Sequence, residues 1–160
     1  MCPKWIKIVL SLSYTHFETP GSNGVSREIQ MKVGFTGTRK GLSEHQMELL
    51  HQFFKENEIL EFHHGDSIGA DSQAHQIYLV VHPGKKVFLH PTTKDRGFNK
   101  AENLVEYSEE PNPLKRNERI VRICDLLLVC PKSIQQEARS GTWATYRYAM
   151  KLKKKVLVLI

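Results

Sequence analysis

Cysteine is scarce in this chain of 160 residues, with three in all, at Cys2, Cys124 and Cys130. An odd count with no Cys-x-x-Cys pair argues against a disulfide framework and against a zinc ribbon. Cys124 and Cys130 lie in RICDLLLVC, where a thiol serves as a small buried hydrophobe, and a reducing cytoplasm is the expected compartment. Long hydrophobic runs are missing too. None reaches the length that crosses a bilayer, so no membrane partner is expected. The stretch WIKIVLSLSY is short, contains Lys7 and lacks a convincing cleavage site, so it does not read as a signal peptide. There are no internal repeats and no low-complexity tract. Neither the dinucleotide fingerprint Gly-x-Gly-x-x-Gly nor the Gly-Lys-Ser/Thr end of a phosphate-binding P-loop is present.

What is there is ordinary globular material: 40% hydrophobic, 25% charged, net charge +6. The length allows one domain with a real core. The positive balance favours polyanionic or phosphorylated partners, although a solvated basic face would account for it equally well.

Residues 15–30, THFETPGSNGVSREIQ, are rich in turn formers and read as a loop or linker. Residues 1–30 are therefore expected to be an N-terminal extension, with Met31 as a candidate functional start and 31–160 as the working domain. From Met31 the pattern alternates. MKVGF is a strand. Ser43 with Gln46 is a capping-box pair opening SEHQMELLHQFFKEN, whose Met47, Leu49, Leu50, Phe53 and Phe54 form a helical stripe. ILEFHH, KKVFLH, DLLLVC and KVLVLI read as further strands. SQAHQIYLVV, PLKRNERIVRIC and ARSGTWATYRYAMKLKK read as helices, or a turn leading into one, with Pro113 in a first turn. Residues 91–113 are a long polar stretch with no predicted element, a kind of segment that is often functional. The alternation predicts an α/β, Rossmann-like three-layer sandwich, with a mostly parallel sheet of about five strands and helices on both faces. Ligands in such folds bind at the carboxyl ends of the strands.

Four turns carry candidate chemistry. In GFTGTRKG, small residues let backbone approach a ligand and Arg39 projects from the turn, though glycine after a strand is usually only a turn. In GDSIGAD, Asp66 and Asp71 are placed to accept hydrogen bonds from ribose hydroxyls. The plainer reading has Asp71 as an N-cap bonded to His75 one turn on, with Gly65 and Gly69 serving the turn. In RSGTWATYRYA, Ser140, Gly141 and Thr142 present donors at a helix start and Arg139 adds a charge. The same residues also suit a plain N-cap with Trp143, Tyr146 and Ala149 as core. In KRNERIVR, Arg116 and Asn117 sit nearest the sheet's carboxyl edge, and Arg122 faces solvent. A metal is not expected. His63, His64, Asp66, Asp71 and His75 are suitable ligand types, but adjacent strand residues His63 and His64 point to opposite faces.

In order, VGFTGTR, HHGDSIGADSQAH, KRNERIV and RSGTWATYRYA resemble the four successive motifs of the SLOG (Smf/DprA–LOG) superfamily of Rossmann-like domains, from about Met31 to Ile160. The resemblance is greatest to short stand-alone members with Gly-Asp-x-x-Gly-Ala-Asp and Arg-Ser-Gly-Thr-Trp-x-Thr motifs. It implies a nucleotide-type pocket at the carboxyl edge of the sheet. Gly37, Thr38 and Arg39 would line it. Gly65, Asp66, Gly69 and Asp71 would take the sugar side, Arg116 and Asn117 would close it, and Arg139, Ser140, Gly141 and Thr142 would take the phosphate.

The expected ligand is a nucleotide or nucleotide-sugar phosphate, with single-stranded DNA as an alternative partner and no cofactor. Homo-oligomers are an expectation that rests on the resemblance alone. LOG-type members cleave the N-glycosidic bond of nucleoside monophosphates with a Glu of Pro-Gly-Gly-x-Gly-Thr-x-x-Glu. Here Thr145 stands in that Glu's place and Glu137-Ala138-Arg139 replaces Pro-Gly-Gly. Were this chain an N-glycosidase, Asp66, Asp71 and Arg116 would be its candidate catalytic groups, because an oxocarbenium-like state needs a nearby negative charge.

Overall fold

The computed structural model describes residues 30–160, together with the strand Ile6–Val9 by its backbone. Seven strands form one sheet in the order β1-β7-β6-β2-β3-β4-β5, and every neighbouring pair is parallel. They are β1 (Ile6–Val9), β2 (Met31–Gly37), β3 (Ile59–His64), β4 (Val87–Leu89), β5 (Leu104–Glu106), β6 (Leu126–Cys130) and β7 (Lys155–Leu159). The Rossmann-like sandwich is as predicted, with two strands more. β1 lies on the free side of β7, so part of the 1–30 segment joins the sheet; the rest of that segment, residue 30 apart, lies outside the described residues. β5 sits within the 91–113 stretch. It has three residues, is mostly exposed, and exists by pairing with β4.

Four helices cover the faces: α1 (Glu44–Glu56), α2 (Ala70–Val81), α3 (Pro113–Ile123) and α4 (Gly141–Lys151). The caps of α1 and α4 and the proline that opens α3 are where the sequence puts them; the Asn112 cap is a further finding. Ser43 and Gln46 exchange two bonds of 3.1 Å as a capping box on α1. Asn112 caps α3 ahead of Pro113, and Ser140 Oγ accepts from Trp143 N on α4.

The sheet is covered on both sides, which is why β6 reads LLLVC without a polar residue. Its side chains alternate between two cores. Leu126, Leu128 and Cys130 join the cluster under α1 and α2, where Phe54, Phe62 and Tyr78 pack ring on ring at 4.6–5.2 Å. Leu127 and Val129 join the cluster under α3 and α4 with Val121, Cys124 and Trp143. No helix among the described residues is long and apolar enough to cross a membrane.

One feature of the topology positions the site. β2 and β6 are neighbours, but the chain leaves β2 through α1 toward β3, and leaves β6 through α4 toward β7, on the other face. The connections diverge there and open a crevice beyond the two carboxyl ends.

Candidate functional site

A cavity of about 300 Å³ occupies that crevice. The β2 turn brings Gly37, Thr38, Arg39 and Lys40; the turn after β3 brings Ser67 and the first turn of α2 brings Asp71; the start of α3 brings Arg116 and Asn117; the start of α4 brings Ser140, Gly141 and Thr142. Four turns far apart in sequence thus converge. Of the residues picked out beforehand, Gly65, Asp66, Gly69 and Arg139 are not in the lining.

Arg116 is the centre of the floor. It is 4% exposed, and its guanidinium donates to Gly65 O, to His90 O at 2.8 Å, to Ser67 Oγ at 3.3 Å and to Asn117 Oδ1 at 2.6 Å. Burial lowers its pKa, and the Asp71 and Asp66 charges partly offset that. Gly65 is there because a Cβ would collide with this guanidinium and lie 2.9 Å from Asp71 Oδ2. So Gly65 serves the site by its lack of a side chain and by its carbonyl.

Asp71 lies one residue into α2 and is not its cap. The cap position is Gly69, at φ 84°, with its open face against the Arg39 carbonyl. Asp71 instead turns back, and Oδ2 accepts from Ser67 N at 3.1 Å. Burial lifts its carboxyl to about 6, against the pull of Arg116 and the backbone N–H groups. The first N–H of α2, on Ala70, is bonded to Thr38 O at 3.0 Å, so this helix start ties down the β2 turn. The start of α4 is different. Ser140 Oγ takes the Trp143 N–H, and Gly141 and Thr142, whose N–H groups precede any intrahelical acceptor, line the cavity.

Asp66 has another task. It is fully buried at φ 51°, and its carboxylate is saturated. Oδ2 accepts from Arg96 Nε and Nη2 at 3.0 and 2.8 Å, and Oδ1 accepts from Asn99 N and Nδ2 at 3.0 and 2.8 Å. The expectation that it faces a sugar hydroxyl is therefore corrected: its oxygens are spent on the 91–103 connection. That connection in turn supplies Asp95, which holds Arg39 at 2.6 Å on the cavity mouth. Arg139 is exposed and outside the lining, whereas Lys40, Lys132 and Glu137 line it, all exposed. Lys132 follows the carboxyl end of β6, so the strand-end rule that selected the other turns would have found it.

The histidines form two relays whose tautomers are fixed by their ends. Asp66 N donates to His64 Nδ1 at 3.0 Å, so His64 Nε2–H donates to His75 Nδ1 at 2.9 Å, and His75 Nε2–H donates to Lys100 O at 2.8 Å. Arg119 Nε donates to His90 Nδ1 at 3.1 Å, His90 to His63 Nδ1 at 3.0 Å, and His63 to Glu61 Oε2 at 2.9 Å. His63 and His64 do point to opposite faces. His75 bonds His64 and Lys100, not Asp71. Burial, first among the causes, holds all four imidazoles below their ordinary pKa. No group of three or more metal-ligating side chains occurs among the described residues.

At the position of the LOG glutamate, Thr145 is buried. Its hydroxyl donates to Gly141 O and accepts from Asn117 Nδ2, both at 2.8 Å, which ties α3 to α4. Among the described residues, the carboxylates lining the cavity are therefore Asp71 on the floor and Glu137 at the mouth.

No family model and no curated protein matches the chain. Solved structures do. DNA processing protein A (DprA) from Streptococcus pneumoniae aligns at TM-score 0.58 and 20% identity over 81% of this chain and 50% of its own. DprA from Helicobacter pylori, described for its single-stranded DNA binding mode, aligns at 0.58 and 18% over 81% of this chain and 65% of its own. The chain thus spans half to two thirds of these proteins. The molybdenum cofactor binding protein from Rippkaea orientalis aligns at 0.58 and 16% over 82% of this chain and 78% of its own. What is shared at these identities is the fold alone, a Rossmann-like α/β sandwich.

Proposed function

We propose that the cavity binds a nucleotide or nucleotide-sugar phosphate. The observation that carries this reading is the meeting, around one hollow, of Arg39, Lys40, Lys132 and Arg116 with Gly141 and Thr142, the first two residues of α4, ahead of the Trp143 N–H that Ser140 caps. A phosphate gains from the helix start and from charge-assisted bonds, and the floor offers Asp71 as an acceptor for a hydroxyl or amide. About 300 Å³ is at the lower end of small-ligand sites, which suits one nucleotide.

The test is thermal denaturation against a panel of nucleotides and ADP-ribose derivatives. A ligand at 100 times its Kd stabilises the native state by about 2.7 kcal/mol, a Tm rise of about 5–10 °C at this chain length. Arg39→Ala and Thr142→Ala remove the rise. No shift across the panel refutes the reading.

A second reading is favoured by Asp71, a buried carboxyl near neutrality in the cavity. An N-glycosidase acting on nucleoside monophosphates would use it as the acid–base or charge-stabilising group with Arg116 beside it, because Thr145 carries no charge and Asp66 is turned away. Release of free base that Asp71→Asn abolishes would establish it. Absence of release with ligand binding intact leaves the first reading alone.

A further inference from the structure

The connection from β6 to α4 runs from Pro131 to Ser140, ten residues, where such connections are usually about two to six residues long. Both of its ends are fastened. Gln46 Nε2 donates to Pro131 O at 2.8 Å, and at the far end Ser140 N donates to Glu137 O at 3.3 Å and Arg147 Nη2 to Ala138 O at 3.2 Å. Between these ties, residues 132–136 make no hydrogen bond among the described residues, and all but the half-buried Ser133 are exposed. Backbone so exposed and so thinly bonded is the part of a fold that moves at least cost.

Lys132 and Glu137, near the two ends, line the cavity. Ile134 lies between them, 55% exposed and outside the lining. Leu114, in the first turn of α3, lines the same cavity and is 50% exposed. A lone exposed isoleucine or leucine is ordinary. Here two of them flank one mouth, one on a helix and one on a loosely held loop. A sphere of the cavity's volume is about 8 Å across and an extended chain spans about 3.3–3.6 Å per residue, so Ile134, two residues from Lys132 and three from Glu137, has the reach to cross it. We propose that residues 132–138 are a strap that closes over the occupied cavity by seating Ile134 on Leu114. The inference goes beyond the nucleotide reading and rests on it in one respect, that the cavity takes an anionic ligand. Closure covers two apolar side chains that each stand half in water, shields Arg116 and Asp71 on the floor from solvent, and brings Lys132 toward the ligand. An empty cavity does not compensate for the water lost from Lys40 and Lys132, whereas a phosphate does, so the strap stays open until the ligand arrives.

A disulfide reports closure directly, because its two Cα atoms must come within about 7 Å of each other. In a Cys2→Ser protein with Leu114→Cys, the second change is Ile134→Cys, or, as a control, Leu152→Cys, an exposed leucine at the opposite end of α4. Diamide closes the Ile134→Cys pair faster than the control pair, and the nucleotides of the panel that raise Tm, adenosine 5′-monophosphate and ADP-ribose among the probes, speed it further. Calorimetry gives the energetic counterpart. Ile134→Ser leaves the Tm of the free protein unchanged, since the side chain already stands in water, and weakens nucleotide affinity about tenfold through the apolar contact it no longer makes. Leu114→Ser weakens it too, and the double variant loses less than the sum of the two, because each side chain acts through the other.

A disulfide that forms no faster than the control, with nucleotide bound or without, overturns the strap and leaves the cavity reading standing. So does an Ile134→Ser protein that binds as tightly as the parent, or a double variant whose losses add. A disulfide that nucleotide does not accelerate, in a protein whose Tm the same nucleotide raises, also overturns the inference, because closure is then independent of the ligand. A parent protein that no nucleotide stabilises overturns the cavity reading and this inference with it.

Discussion

Asp66→Asn separates a structural carboxylate from a ligand-binding one. The side chain has no exposure and accepts four hydrogen bonds. An amide keeps the oxygen that serves Asn99 N and Nδ2. It turns its NH₂ toward Arg96, whose Nε and Nη2 also donate, so two charge-assisted bonds become donor facing donor. Such bonds contribute about 1.5–3 kcal/mol each. Arg96 is not stranded, because Glu106 and Glu109 each hold it at 3.1 Å, which lowers the loss. The net destabilisation is about 3 kcal/mol, or about 6–12 °C in Tm for a chain of this length. The assay is urea denaturation with amide exchange on the native protein. The Ile68 N–H, bonded to Asp95 O at 3.0 Å, and the Gly97 N–H, bonded to Asp66 O at 2.6 Å, lose protection first because they zip the 95–97 segment onto the 66–68 turn. On the proposed nucleotide reading, affinity weakens only indirectly, as Asp95 no longer holds Arg39. A stability change under about 1 kcal/mol with both amides still protected would refute the assignment.

The four buried imidazoles are neutral in the fold and have ring nitrogens already committed, so below the ordinary imidazole value of 6.5 the unfolded chain binds more protons and stability falls as pH drops; His64→Gln reduces that slope in a Tm–pH series. Asp71 acts with the opposite sign. Its folded value of about 6 stands above the unfolded 3.8, so its contribution favours the fold below about pH 4 and is lost as pH rises through 6, and the difference between parent and Asp71→Asn curves must lie in that window. Cys124 and Cys130 are buried with thiol pKa values raised by desolvation, so in a Cys2→Ser protein an aromatic disulfide reagent reacts only at the rate of unfolding; rapid native-state labelling would contradict the packing.

The helix starts were legible because their signals are local. Ser43 with Gln46 and Ser140 cap where the sequence reading puts them, and Pro113 opens α3 as read. The doubly covered β6 was legible for the same reason. β5 was not, since a three-residue edge strand in AENLVEYSEE has no periodicity and depends on β4 for its hydrogen bonds. Nor was the true start of α2. Spacing favoured Asp71 as the cap, but the packing of Gly69 on the Arg39 carbonyl moves the helix start two residues upstream.

Composition, periodicity and the order of four turns were enough to specify a parallel α/β sandwich with a crevice at the strand ends, because strand period, helix capping and glycine turns are short-range properties of the backbone. Which of two aspartates five residues apart faces the cavity was decided by residues between 30 and 51 positions away. Arg96 and Asn99 reach back to claim Asp66, and Arg116 crosses from α3 to lie against Gly65 beside Asp71. A buried carboxylate takes the orientation in which all its bonds are made, and its partners come together only when the sheet has folded.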